Sequence, residues 1–86
     1  MLLSRLDCNG EMLIGVRGYG AASDLHGTIR LEGIGGSLNI YDCETREQVG
    51  SVTPASPEFS CTVAKDRCRL LYAGSPEQWR RRTAGL

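Results

Sequence analysis

The chain alternates apolar and polar residues in Gly27-Thr28-Ile29-Arg30-Leu31-Glu32-Gly33, Leu38-Asn39-Ile40-Tyr41-Asp42, Phe59-Ser60-Cys61-Thr62-Val63 and Cys68-Arg69-Leu70-Leu71-Tyr72. An apolar side chain at every second position is the period of a β-strand that has one face on a core and the other in water. Glycine- and proline-rich turns separate these segments. The pattern predicts an all-β fold, a small antiparallel β-sandwich or open barrel with a short C-terminal helix.

The length of 86 residues indicates one domain. We predict a single β domain over residues 1–74 and a short C-terminal helix or tail over residues 75–86. A chain of this size buries only about 60% of the surface that its unfolded form exposes, so its stability is expected to be marginal. Association with another subunit is a common way to add stability, and the size alone favours a component of an assembly.

Asn9-Gly10 predicts a β-hairpin over residues 3–16, because a type I′ turn needs positive φ at both central residues. Folding about this turn places Cys8 opposite Glu11, Leu6 opposite Leu13, Arg5 opposite Ile14, and Leu3 opposite Val16. Met12, Ile14 and Val16 then share a face, which we assign to the core. Leu6 and Leu13 share the other face, and this second apolar surface needs a cover. Either a loop of the same chain or a neighbouring subunit would provide it.

A second hairpin is predicted around Lys65-Asp66, between residues 59–64 and 67–72. Its register gives a row of apolar pairs of the kind that stabilises a sheet: Val63 with Cys68, Cys61 with Leu70, and Phe59 with Tyr72. Between the hairpins we expect a strand over Gln48–Val52 and a loop over residues 53–57, where two prolines remove backbone donors. The predicted core contains Met12, Ile14, Val16, Ile29, Leu31, Leu38, Ile40, Phe59, Cys61, Val63, Leu70 and Tyr72.

Ser75-Pro76-Glu77-Gln78 predicts the start of a helix, with a serine cap, proline at the first helical position and an acid in the first turn. The helix continues for about two turns, and Gly85 is placed to end it. So short a helix is unstable alone. Trp79 must therefore dock either on this sheet or on another chain.

The four cysteines, Cys8, Cys43, Cys61 and Cys68, include no close pair of the Cys-x-x-Cys type that zinc sites use. The sequence shows no signal peptide, which favours reduced thiols over disulfides. Cys61 and Cys68 lie in phase with the predicted core, and we expect them to be buried as small hydrophobic residues. We therefore predict no metal site and no cofactor, with disulfides and a metal site as the less favoured alternatives.

The formal net charge is zero, with ten basic and ten acidic residues. A nucleic-acid binder normally carries a basic excess, so we expect no nucleic-acid partner. No apolar run reaches the length that spans a membrane, and we expect no membrane partner. The predicted location is the cytoplasm of the producing cell, or the virion if the chain comes from a bacteriophage.

No pattern of residues predicts an enzyme, and we assign no catalytic residue. Gly18-x-Gly20 lacks the lysine and third glycine of a phosphate-binding loop. Asp42, Glu44 and Glu47 are carboxylates in one solvated turn, where nothing would separate their pKa values. Ser23, Asp24 and His26 are neighbours in sequence, whereas the members of a catalytic triad converge from distant elements.

The run Gly27-Thr28-Ile29-Arg30-Leu31-Glu32-Gly33, followed by Leu38-x-Ile40-Tyr41-Asp42-x-x-Thr45 and Val49, resembles the carboxypeptidase regulatory-like, or transthyretin-like, β-sandwich modules. The resemblance covers residues 25–74. Arg46 stands where those modules usually have a glycine, and Asp66-Arg67-Cys68-Arg69 replaces their Pro-Gly-x-Tyr lead into the last strand. The resemblance implies a non-catalytic module, of a kind that also occurs in tail and virion proteins of bacteriophages.

The leading functional hypothesis is a non-enzymatic structural or adaptor protein, a minor component of a phage tail that acts through contacts with other virion subunits or with itself. The alternative is a small intracellular inhibitor that blocks a host enzyme or defence complex, and a third hypothesis is a metal-stabilised module that uses the cysteines and His26. The predicted contact residues are Leu2, Leu6, Leu13, Tyr19, Trp79, Arg80 and Arg81.

Overall fold

A computed structural model describes residues 2–85, which form seven β-strands and one α-helix. The strands are β1 (Leu2–Cys8), β2 (Glu11–Arg17), β3 (Leu25–Arg30), β4 (Leu38–Asp42), β5 (Gln48–Val52), β6 (Glu58–Val63) and β7 (Cys68–Gly74). Helix α1 spans Pro76–Thr83. No helix within residues 2–85 has the length and apolar character needed to cross a membrane.

The strands form two antiparallel sheets. The large sheet has the order β1-β2-β7-β4-β5, and the small sheet pairs β3 with β6. The prediction of an all-β fold with a small sandwich and one short helix is confirmed. Strand β7 lies in the middle of the large sheet, between β2 and β4.

Apolar side chains from both sheets form one core. The large sheet contributes Met12, Ile14, Val16, Ile40, Val52, Leu71 and Ala73, and the small sheet with its continuation contributes Ile29, Leu31, Phe59, Cys61 and Val63. Nine of the twelve predicted core residues belong to this cluster, and Leu38 packs against it half-buried. In β2, β3, β4 and β6 the alternation of apolar and polar residues therefore correctly identified the side chains that face the core.

The first hairpin has the predicted register, with Leu6 opposite Leu13 and Leu3 opposite Val16. Asn9 and Gly10 both adopt positive φ, 50° and 83°, as a type I′ turn requires. Met12, Ile14 and Val16 are buried. The predicted core face of this hairpin is confirmed.

The second predicted hairpin is wrong. Strand β6 pairs with β3 in the small sheet, whereas β7 pairs with β2 and β4 in the large sheet, so the turn at Lys65-Asp66 carries the chain from one sheet to the other. The inward phase of β7 is also shifted by one residue. Leu71 is fully buried, while Leu70 is 50% exposed. Tyr72 is buried as predicted, but outside the core cluster.

The cysteines only partly follow the prediction. All four are free thiols, and Cys61 is buried in the core. Cys68, which was expected to be buried with it, is exposed, as is Cys8. The physical reason is the shifted phase of β7, which turns position 68 away from the core together with Leu70.

Candidate functional site

The outer face of the large sheet, opposite the core, carries a second apolar surface. In β2 the residues that alternate with the buried Met12, Ile14 and Val16 point to this face. Leu13 therefore lies on it, with Leu6 of β1 on one side and Tyr72 of β7 on the other. The solvent-facing side of a sheet in a two-layer sandwich is normally polar, so this apolar surface needs a physical explanation.

Helix α1 covers the part of the outer face formed by β4 and β7 around Tyr41 and Tyr72, through Trp79. The indole stacks on the ring of Tyr41, with 4.6 Å between ring centroids and 6° between ring planes. It also contacts Tyr72 at a centroid distance of 5.2 Å. Tyr41 and Tyr72 are directly opposite each other on β4 and β7 and are both buried. The structure thus resolves the docking alternatives for Trp79 in favour of this chain's own sheet.

Local sequence places the helix where this stacking is possible. The Ser75 hydroxyl accepts a hydrogen bond from the amide of Gln78 at 3.1 Å, and the Gln78 side chain accepts one from the amide of Ser75 at 2.8 Å. This reciprocal pair is a capping box. It fixes the first turn directly after β7, and Trp79 follows one residue later.

An ion pair fastens the far end of the helix to the first hairpin. Arg82 donates two hydrogen bonds to Glu11, from Nε to Oε1 at 2.9 Å and from Nη2 to Oε2 at 2.7 Å. The Tyr72 hydroxyl also donates to Glu11 Oε1. The hydrogen bonds from Arg82 and Tyr72 lower the pKa of Glu11 from 4.5 to about 2. Burial, followed by the bond to Glu11, raises the pKa of Tyr72.

Acid is expected to break the ion pair between Glu11 and Arg82. Because the folded-state pKa of Glu11 is below its unfolded value, the stabilisation is complete above pH 4.5 and is lost as pH falls from 4.5 toward 2. The urea midpoint of the wild-type chain should therefore drop over this window. The Glu11→Gln variant should show a smaller drop over the same window, measured by Trp79 fluorescence. Equal slopes for the two chains would contradict the role of Glu11.

A groove of about 350 Å³ lies between helix α1 and the first hairpin. Its walls are mainly apolar and include Leu6, Leu13, Tyr72 and Trp79, and Cys8 and Cys43 also border it. Burial raises the pKa of the Cys43 thiol, which lowers its thiolate fraction and its reactivity. The groove therefore offers apolar contact area beside the helix.

Four leucines elsewhere on the outer face are exposed to solvent. Leu2, Leu6 and Leu70 are 65%, 66% and 50% exposed, and Leu13 is 39% exposed. All four point to the outer face, and we call them the leucine patch. Leu6, Leu13 and Leu70 are near neighbours in the strand register, and exposed leucines grouped in this way mark interaction sites more often than isolated ones do.

Asp42 is the centre of a buried polar cluster at the end of β4. Its Oδ1 accepts hydrogen bonds from the amides of Glu44 and Thr45, and its Oδ2 accepts from Arg69 Nη2 at 2.7 Å. Arg69 also donates to the carbonyl oxygen of Thr62 on the small sheet at 2.8 Å. Burial opposes ionisation of Asp42, yet these hydrogen bonds hold its pKa below its ordinary value. The cluster joins the two sheets, which is a structural role.

The other groups considered from sequence do not converge. His26 Nδ1 lies 2.9 Å from the hydroxyl of Thr62, while Asp24 accepts a hydrogen bond from the amide of Lys65. Within residues 2–85 no group of three or more His, Cys, Asp and Glu side chains is arranged to hold a metal ion.

No family model and no curated protein matches this chain. Among solved structures it is similar to part of a putative alpha-N-acetylgalactosaminidase from Bacillus halodurans C-125, with a TM-score of 0.64 and 19% sequence identity. The match covers 78% of this chain and 16% of that chain. At this identity the likeness shows the fold alone. The resemblance to carboxypeptidase regulatory-like modules stays a prediction.

The structure brings only some of the predicted contact residues together. Leu2, Leu6 and Leu13 share the leucine patch, and Trp79 borders the adjoining groove. Arg80 and Arg81 are exposed on the helix. Tyr19 is 62% exposed in the loop after β2, outside the outer face.

Sequence reasoning missed Leu70, which it placed in the core. The signal that could have found it is the adjacent pair Leu70-Leu71. Two neighbouring leucines in one strand must point to opposite faces.

Proposed function

We propose that the chain is a non-enzymatic structural or adaptor protein that acts through protein–protein contacts, with the leucine patch as its contact surface. The observation that supports this is the unequal cover of the outer face. The chain uses its own helix to bury Tyr41 and Tyr72, but leaves the leucines beside them in water. A protein partner would hide these leucines as the helix hides the tyrosines.

The composition of the patch also fits a protein partner. Interfaces have apolar centres with polar rims, and here the leucines are flanked by Arg17 and Glu11 along β2. The adjoining groove supplies a recess into which a partner's apolar side chain could insert beside Trp79.

The proposal is tested by the size of the complex that the chain forms in the producing cell. Tagged wild-type chain is expected to elute from size-exclusion chromatography well above the size of a single chain. The Leu6→Ser, Leu13→Ser double variant should elute as a monomer, because it removes the centre of the patch. Val49→Ser is the matched control, since Val49 is 37% exposed at the other edge of the large sheet. A wild-type chain that elutes as a monomer would refute the proposal.

Within this class we propose a minor component of a bacteriophage virion. Its support is the resemblance of residues 25–74 to modules that occur in such particles, together with the small size of the chain. Mass spectrometry of purified particles from the producing cells should find the chain at a constant ratio to the main structural proteins. Its absence from the particles would remove this assignment and leave the contact surface untouched.

A further inference from the structure

Strand β1 is an open edge of the large sheet. Among residues 2–85 it pairs with β2 alone, in a register that runs from Leu2 to Cys8 without a bulge. All seven of its residues are exposed. Because hydrogen-bonding directions alternate along a strand, every second residue of β1 points its backbone amide and carbonyl away from β2. These groups form a regular template for one more antiparallel strand.

The opposite edge of the sheet is a poorer template. Strand β5 has five residues, and its pairing with β4 shifts register between Ile40 and Tyr41. Such an irregularity twists an edge away from further pairing. Strand β1 is therefore the better edge for pairing with a further strand.

Two charged residues make β1 complementary to itself. Arg5 Nε lies 2.6 Å from Asp7 Oδ1, and Arg5 Nη1 donates to the carbonyl oxygen of Glu32 at 2.8 Å. Both side chains are thus held in place on the face opposite Leu6. They are two residues apart, with Leu6 between them, so a two-fold axis at Leu6 would place each one opposite the other type.

We propose that β1 pairs antiparallel with β1 of a second copy of this chain, about a two-fold axis at Leu6, to join two large sheets into one of ten strands. This inference rests on the proposed function, because it names the partner for the same surface. Arg5 of each copy lies opposite Asp7 of the other. On the outer face Leu6 meets Leu6 of the second copy, flanked by Leu13 of both copies, which makes the two leucine patches continuous.

Charge selects this register over its neighbours. An axis at Arg5 would place the two arginines opposite each other, and an axis at Asp7 would do the same with the two aspartates. Like charges directly opposite each other destabilise a sheet, and opposite charges stabilise it. An axis at Ser4 would place Leu3 opposite Arg5 and leave Asp7 without a charged counterpart in β1.

Disulfide trapping tests the register. In a background with Cys8→Ser and Cys68→Ser, the Leu6→Cys variant would place two thiols opposite each other at the axis, within the Cα separation of about 4.4–6.8 Å that a disulfide needs. Mild oxidation of the purified chain should yield a covalent dimer. Ser4→Cys in the same background is the matched control on the same face, and it should remain monomeric. Failure of Leu6→Cys to cross-link, or equal cross-linking of Ser4→Cys, would overturn the proposal.

Charge exchange tests the complementarity. Arg5→Asp and Asp7→Arg each place like charges opposite each other, and each alone should weaken the dimer by roughly tenfold or more in analytical ultracentrifugation. An equimolar mixture of the two variants should restore the dimer, since opposite charges then face each other again. Circular dichroism would check that both variants fold. Unchanged dimerisation of the single variants would overturn the proposal.

The alternative role of these charges is to keep strands apart, because charged side chains on an edge strand often prevent pairing. In that case the purified wild-type chain stays monomeric at all concentrations in analytical ultracentrifugation, which overturns the proposal of a dimer. The proposed function survives that result if the chain still forms a larger complex in the producing cell, and fails with it if no such complex exists.

Discussion

The Asp42→Ala variant is expected to lose about 3–4 kcal/mol of unfolding free energy, the lower part of the range of about 3–5 kcal/mol for removing one partner of a buried ion pair. The change leaves the guanidinium of Arg69, which is 27% exposed, without its carboxylate. It also leaves the amides of Glu44 and Thr45 without the acceptor that shapes the turn. Urea unfolding followed by Trp79 fluorescence measures the loss. For a domain of this size the loss is a large part of the total stability.

Two further variants separate the contributions to this effect. Asp42→Asn keeps an acceptor for the turn amides but removes the charge that faces Arg69, so its loss should be intermediate. Glu44→Ala is the control in the same turn, since Glu44 is exposed and its removal should cost less than about 0.5 kcal/mol. A loss below about 1 kcal/mol for Asp42→Ala would show that water replaces the carboxylate without penalty.

The Trp79→Ala variant is expected to lose about 2–3 kcal/mol, somewhat below the range for a fully buried aromatic residue because Trp79 is half-buried. It removes the stacking on Tyr41 and the contact with Tyr72. An eight-residue helix has little stability of its own, so it should detach and expose both tyrosines. Urea unfolding followed by far-ultraviolet circular dichroism measures the change, since the variant lacks tryptophan.

Arg80→Ala provides the control on the same helix. Arg80 is exposed, and its replacement should change the stability by less than about 0.5 kcal/mol. If Trp79→Ala were as mild as this control, the helix would owe its position to the Glu11–Arg82 ion pair rather than to the aromatic stack.

Local signals in the sequence were sufficient for the first hairpin and the helix. Asn9-Gly10 and Ser75-Pro76 act through backbone geometry and neighbouring hydrogen bonds, so these elements could be predicted without knowledge of the rest of the fold. The inward faces of β2 and β6 followed from alternation, because each strand has one distinctly apolar face.

The face of β7 could not be predicted in this way. Counting apolar residues favours the set Cys68, Leu70 and Tyr72 over the set Arg69, Leu71 and Ala73, yet the second set points inward. Arg69 is satisfied there by Asp42 and by a carbonyl oxygen of the small sheet, while Tyr72 is covered from outside by the helix. Both compensations come from distant parts of the chain, so the strand's own pattern does not contain them.

Part of the candidate site could likewise be predicted from local sequence, and part could not. The hairpin register placed Leu6 and Leu13 on one outer face. Which residues of the outer face are buried by Trp79 and which leucines stay exposed depends on where the helix packs, and this is set by tertiary structure.

The position of β7 between β2 and β4 has a consequence for how the molecule is assembled. Strand β2 ends at Arg17, and its central neighbour begins only at Cys68. During synthesis both apolar faces of the first hairpin therefore stay exposed to solvent until β7 has been made. Pairing between strands so far apart in sequence is slow, and it prolongs the lifetime of aggregation-prone folding intermediates. The first hairpin is thus the part of the chain that would benefit most from a chaperone during folding.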